Sequence, residues 1–218
     1  MRVLSSESYS VAWFKLADFV ARGEKERALN VHKLLMHSVD EQAFAYQLEA
    51  DILLSFDDEM ALSKYHVAAN LYKKQEKYQR AIDVYRHVLL RFEDISIVEA
   101  LLDVYNLLEN DEQLVKTFSL FAKVCLKKQD VGLLFNRLHS FSVYPKKIVY
   151  ARLHVTLIES FLLYDPQNKH LNMYLQQTVD LLKECKDKKL FNSFVERVKE
   201  LNESVYTEVK NFLPKSFK

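Results

Sequence analysis

Two stretches of the chain carry the same residue spacing 33 positions apart. They are Tyr72, Ala81, Tyr85, Val88 and Tyr105, Leu114, Phe118, Phe121, with offsets of 9, 13 and 16 in both. An earlier copy runs Ile52, Ala61, Tyr65, Ala68, and a weaker one runs Phe19, Ala28, His32, Leu35, again 33 positions before it. Self-similarity near this length is the signature of stacked helix pairs, each of which buries its apolar face against the next. It points away from catalysis and towards a binding surface.

Composition agrees with helices. The 218 residues include two glycines and three prolines. Tight β-turns and glycine-rich phosphate loops need backbone with positive φ, for which glycine is the default. Helices joined by short polar turns need little of it. With 49% apolar and 28% charged residues, the chain has ample material for a core and no bias towards disorder. Apolar residues recur at intervals of three and four. This periodicity predicts eleven helices at about 8–22, 24–38, 40–55, 58–75, 77–92, 94–109, 111–128, 130–142, 146–164, 166–185 and 187–213.

Several helix starts have a physical reason. Asp40, Asp57, Asp94, Asp111 and Asp130 stand where a carboxylate accepts the unpaired N–H groups of a first turn. Asp165-Pro166 reads as a cap followed by proline at the first helical position. Tyr144-Pro145-Lys146 reads as a similar start, and Gly23 as the end of the first helix. Short loops force antiparallel neighbours. Eleven helices so joined make an α-solenoid or a compact bundle, and the self-similarity favours the solenoid. The expected architecture is therefore all-α, with a repeat region at 1–142 and a helical extension at 143–218 whose longer helices cap the stack.

The best copy resembles the tetratricopeptide repeat, a helix–turn–helix unit of about 34 residues. Tyr65, Ala68, Ala69 and Tyr72 stand on one helix, then Ala81, Tyr85 and Val88 on the next, with Ala69 and Ala81 where the backbones come closest. Leu114 replaces the small residue in the following copy. From Ile52 to Tyr72 the step is 20, so the helix at 58–75 serves as second helix of one unit and first of the next. The resemblance spans about residues 10–125. It implies a concave, peptide-binding face on the first helices, lined by Trp13 and Ala17, Tyr46 and Ala50, His66, Asn70 and Lys73, then Glu99, Asp103 and Asn106. Asn70 and Lys73, one turn apart, are suited to a peptide carboxylate or backbone. Glu99 and Asp103 argue against the all-basic carboxylate clamp of the family's cochaperones. Packing explains Trp13, Tyr46 and Tyr72 better than ligand contact does, since aromatics at helical spacing are usually core.

Motifs for chemistry are missing: no GxxxxGK[ST], GxGxxG or HExxH occurs. No two histidines stand at i,i+4, and His32 and His37 are five apart on different faces, so neither a metal nor a cofactor is expected. Cys125 and Cys185 belong to no ligand spacing and are read as reduced thiols. No apolar run reaches the ~20 residues of a membrane span, and the first ten residues do not resemble a signal peptide. The expected setting is cytoplasmic.

The net charge of +1 hides an asymmetry. Residues 1–115 hold 13 Lys/Arg against 20 Asp/Glu, and residues 116–218 hold 18 against 10. The basic half carries Lys127-Lys128, Lys146-Lys147, Lys183, Lys186, Lys188 and Lys189, but these fall at helix ends interleaved with acids, which disfavours nucleic acid as partner. The last helix carries a seam, Phe191, Phe194, Val198, Leu201, Val205 and Phe212, which either caps the stack or pairs with a second copy. The functional expectation is a non-catalytic adaptor or scaffold that holds a peptide or helix of a partner protein. The alternatives are a chaperone for a secreted substrate and a structural subunit of an assembly.

Overall fold

The computed structural model describes residues 6–37 and 39–212. It is all-α: twelve helices and no strand occur among the described residues. They divide between two compact units, Met1–Glu93 and Asp94–Lys218. The first contains α1 (Ser6–Ala21), α2 (Lys25–Met36), α3 (Gln42–Ser55), α4 (Met60–Lys74) and α5 (Tyr78–Leu89). The second contains α6 (Ile95–Leu107), α7 (Asp111–Lys127), α8 (Val131–Ser140), α9 (Lys147–Tyr164), α10 (Leu171–Cys185), α11 (Lys188–Leu201) and α12 (Glu203–Phe212).

The repeated positions are packing positions. Ala61, Tyr65, Ala68, Ala81, Tyr85, Val88, Leu114, Phe118 and Phe121 are all fully buried, and Ile52, Tyr72 and Tyr105 nearly so. The spacing of 33 is nonetheless only part of the period. Helices α2, α5 and α8 start at Lys25, Tyr78 and Val131, two steps of 53; α3, α6 and α9 start at Gln42, Ile95 and Lys147, steps of 53 and 52. The unit that recurs is thus three helices long, and the step of 20 completes the step of 33. Buried residues follow the same register, as in Leu16, Ala69 and Ala122 or Ile52, Tyr105 and Ile158.

The backbone shows this period too. Helices α1, α3, α4, α6 and α7 end on a left-handed residue: Gly23, Asp57, Glu76, Glu109 and Gln129. Each time that residue donates its N–H three residues back and its successor donates five back, as in Glu76 N to Lys73 O (3.0 Å) and Lys77 N to Tyr72 O (2.9 Å). This closes the orphan carbonyls of the last turn. Four of the five have a side chain where glycine is the usual occupant, which explains how so few glycines suffice.

Asp94 and Asp130 cap their helices as expected, accepting from Ile97 N (3.1 Å) and Leu133 N (3.0 Å). The other three aspartates do not. Glu41, not Asp40, stands at the start of α3 and makes no cap bond. Asp57 is a left-handed terminator, and Asp58 accepts from Met60 N at 2.8 Å. Asn110 caps α7, which frees Asp111 to accept from Tyr144 Oη and Lys146 Nζ, both at 2.7 Å. Lys146 holds the Asp111 carboxyl below its ordinary range. Pro166 is not at a helix start either. Residues 165–170 form a turn, with Asn168 donating to Asp165 and accepting from His170 N, and α10 begins at Leu171.

In the first unit, α4 packs between α3 and α5. Tyr65 bonds to Asp51 and meets the His87 ring (5.6 Å), while Tyr72 bonds to Gln47 and lies under Arg80 (5.6 Å). Residue numbers rise along α4 as they fall along both neighbours, so α3 and α5 run against α4. Helices two apart are also neighbours. Trp13 on α1 meets Phe44 on α3, Lys25 at the start of α2 pairs with Asp58 beside α4, and Glu41 before α3 pairs with Lys77 and Arg80 at α5. These contacts bring α1 and α5 to α3, and the start of α2 to the turn before α4.

The second unit is built around α9, which packs on α7, α10 and α11 and buries residues on nearly every face. Its threonine and serine hydroxyls are satisfied within the helix, Thr156 donating to Arg152 O and Ser160 to Thr156 O. The predicted last helix is two helices. Asn202 is extended (φ −159°, ψ 104°), and its side chain caps α12 by accepting from Val205 N at 3.1 Å. The seam turns inward across this break: Phe191, Phe194, Val198 and Val205 are buried, and Leu201 is half-buried. The side chain of Phe212 lies outside the described residues. Those buried residues offer no open face to a second copy. The acidic run from Asp94 to Glu112 and the basic residues after it share this unit, and Asp103–Arg137 and Asp111–Lys146 pair across them.

Candidate functional site

Two grooves flank α3, one towards α1 and one towards α5. The first, about 410 Å³, lies between α1 and α3 and is lined by Trp13, Leu16, Ala17, Val20, Ala21, Leu48, Asp51, Ile52 and Ser55. Its walls are apolar because Trp13, Val20 and Leu48 pack against the core of Leu16, Ala28, Leu35 and Ile52 without being fully covered. Leu16 and Ile52 are buried beneath, while Trp13, Val20 and Leu48 remain half-buried and Ala17 exposed. Asp51 is the one ionisable lining residue, and its carboxylate accepts the Tyr65 hydroxyl and stands 3.9 Å from His87 Nε2. Burial, followed by the bond to Asp51, pushes the Tyr65 hydroxyl far above its ordinary range.

The second groove, about 470 Å³, is polar: Glu41, Phe44, Gln47, Tyr72, Arg80 and Asp83 line it. Arg80 donates to both Glu41 oxygens (2.8 and 2.7 Å) and covers the Tyr72 ring. Hydrogen bonding from Lys77 holds the Glu41 carboxyl below its usual range. On the other side of α3, between α2, α3 and α4, a cleft of about 580 Å³ holds His32, Lys33, His37, Tyr46, Glu49 and Lys64 among its walls. Lys64 Nζ lies 5.4 Å from the Tyr46 ring centre and 2.9 Å from Glu49. His32 Nε2 is 2.9 Å from Ala45 O, which anchors α2 to α3.

The residues expected on one binding face are therefore distributed. Trp13 and Ala17 line the apolar groove. Ala50 is fully buried, and Tyr46 lines the α2–α3–α4 cleft instead. His66, Asn70 and Lys73 share an arc of about 60° on α4, at ~100° per residue. Asn70 is exposed and the other two half-buried, and none lines any of these three clefts. Glu99, Asp103 and Asn106 form a stripe on α6, in the second unit. Asp103 is taken by Arg137, and Asn106 is exposed. Glu99 is half-buried, and its charge adds to the burial that pushes the Cys125 thiol up to about 12.

Sequence reasoning missed Val20, Leu48, Glu41 and Arg80. The 53-residue register relates two of them to other copies, Leu48 to Leu101 and Arg80 to Arg27. Of the basic residues near the α10–α11 turn, Lys147 pairs with Glu184 and Lys183 with Asp180. Both cysteines are free. Among the described residues no cluster of His, Cys, Asp and Glu is placed to hold a metal ion, and no helix is long and apolar enough to cross a membrane. No family model and no curated protein matches the chain.

Proposed function

We propose that this chain is a non-catalytic protein-interaction module of the α-solenoid kind. Its α1–α3 groove receives the apolar face of a helix or peptide from a partner protein. The observation that carries this is the lining of that groove, six apolar side chains around Trp13 with one carboxylate, Asp51, among the lining residues. An apolar channel between neighbouring helices is how amphipathic helices are commonly held. Trp13 supplies a large, rigid contact of the type that dominates binding energy. The polar groove on the far side of α3 supplies donors and acceptors that fix register. Helix-pair packing, helices two apart brought level at their starts, and the 53-residue register support the solenoid reading. The lining suits an apolar segment of a secreted substrate equally, which keeps the chaperone role within this proposal.

The test is substitution inside the groove and outside it. Ala17 is exposed in the groove wall, so Ala17→Arg leaves the core intact while placing a charge across the channel. Asn70→Ala and Lys73→Ala change α4, outside it. In capture from native lysate, a protein retained by the wild type is expected to be lost at least tenfold with Ala17→Arg and kept by both α4 variants. Loss with Asn70→Ala or Lys73→Ala and retention by Ala17→Arg would move the binding face to α4.

A further inference from the structure

The three-helix register makes one residue of the second unit conspicuous. Leu48 on α3, Leu101 on α6 and His154 on α9 are equivalent, each 53 positions from the last. The third copy thus has an imidazole where the first two have an isobutyl group. His154 is 3% exposed, and neither ring nitrogen has a hydrogen-bond partner among the described residues. A neutral imidazole has one donor and one acceptor, so both are buried unmet.

The aromatic rings that touch it offer it no counter-charge. Tyr150, one turn earlier on α9, meets the ring at 4.7 Å, edge to face, and Tyr174 on α10 at 6.0 Å. Burial raises both phenols, which stay neutral and offer no anion. Phe135 on α8 stacks on Tyr174 at 4.5 Å and closes that side with His170. Among the described residues, the charge that acts on His154 is that of His139, on α8, and it is repulsive. Helices α7 and α11 also pack on α9. The hydroxyls of Thr156, Ser160 and Thr178 are each committed to a carbonyl of their own helix.

We propose that His154 is an acid-operated switch, whose protonation opens the contact of α9 with α8 and α10. The switch is independent of the groove in the first unit, so either can fail alone. Burial, then repulsion by His139, lowers the His154 pKa to about 4 from an ordinary 6.5. A lowered histidine pKa means that the open chain takes up the proton first. Stability is therefore full above pH 6.5 and lost as pH falls from there towards 4. Glu159, on the same helix, is shifted upward by burial and acts with opposite sign at carboxylate pH. It is present in wild type and variant alike and cancels in their difference.

The test uses the full chain and His154→Leu, the residue of the other two copies. Urea unfolding and hydrogen exchange, corrected for intrinsic rate, are followed from pH 7.5 to 4.5. The α9–α10 amides of the wild type are expected to open up to about tenfold more readily per pH unit below 6.5, relative to His154→Leu. Amides of α3–α4 are expected to show no difference between the two proteins. Equal pH slopes for wild type and variant in α9–α10 would overturn the proposal. An NMR titration of the wild-type imidazole guards against a poorly folded variant: a midpoint near 6.5 in the folded protein would overturn it too.

Discussion

Replacing Phe118 by alanine is expected to destabilise the second unit by about 3–5 kcal/mol, one of the two largest effects of a single change in this chain. Phe118 is fully buried on α7, with Phe121 at 6.2 Å and Phe141, just after α8, edge-on at 6.4 Å. Truncation removes ring–ring contact and leaves a cavity that helices held at both ends fill poorly. Because a whole domain is stable by only about 5–15 kcal/mol, this approaches unfolding. Urea titration measures it, with Ser119→Ala as control. Ser119 is the exposed neighbour on the same helix and should change stability by less than about 0.5 kcal/mol.

The second large effect comes from two positions that share an offset in the repeat and differ in size. Ala81 on α5 and Leu114 on α7 each follow an aromatic by nine residues, and both are fully buried. If α4–α5 and α6–α7 had the same separation, one of the two residues would be misfitted and a swap would be tolerated. Full burial of both says instead that each crossing is fitted to its own side chain. Ala81→Leu is expected to cost about 1–3 kcal/mol through overpacking. Leu114→Ala is expected to cost about 2–5 kcal/mol through the cavity it leaves. Urea midpoints of both variants below that of the wild type are the expected result. A midpoint for Ala81→Leu at or above that of the wild type would show slack between α4 and α5.

These positions also show how far the sequence could be read. Burial is a local property, so the spacing of Ala81, Tyr85 and Val88 located the packed face of α5 without any knowledge of its neighbour. The same holds for the caps at Asp94 and Asp130. What periodicity does not carry is which helices lie two apart in the chain yet side by side in space. The repeat resemblance places Tyr46 and Ala50 on one face with Trp13. The face of α3 beside Trp13 is Leu48, Asp51, Ile52 and Ser55, and a shift of two residues turns the side chain about 200° around the helix. His66, Asn70 and Lys73 do share a face of α4, but none of the three lines a groove. The break at Asn202 was hidden for a different reason. The seam of Phe191, Phe194, Val198 and Val205 keeps helical spacing through it, and the one sign is an asparagine able to cap the next turn. His154 stood among seven histidines with nothing to single it out until the 53-residue register set it against two leucines.

The most direct measurement on the central claim is a hydrogen-exchange footprint of the protein with its captured partner. Binding in the α1–α3 groove is expected to add protection at residues 13–21 and 48–55 and to leave the exposed stripe of α4 around Asn70 unchanged. Protection confined to α4, or to the lysines of the α10–α11 turn, with residues 13–21 exchanging as in the free protein, would contradict it.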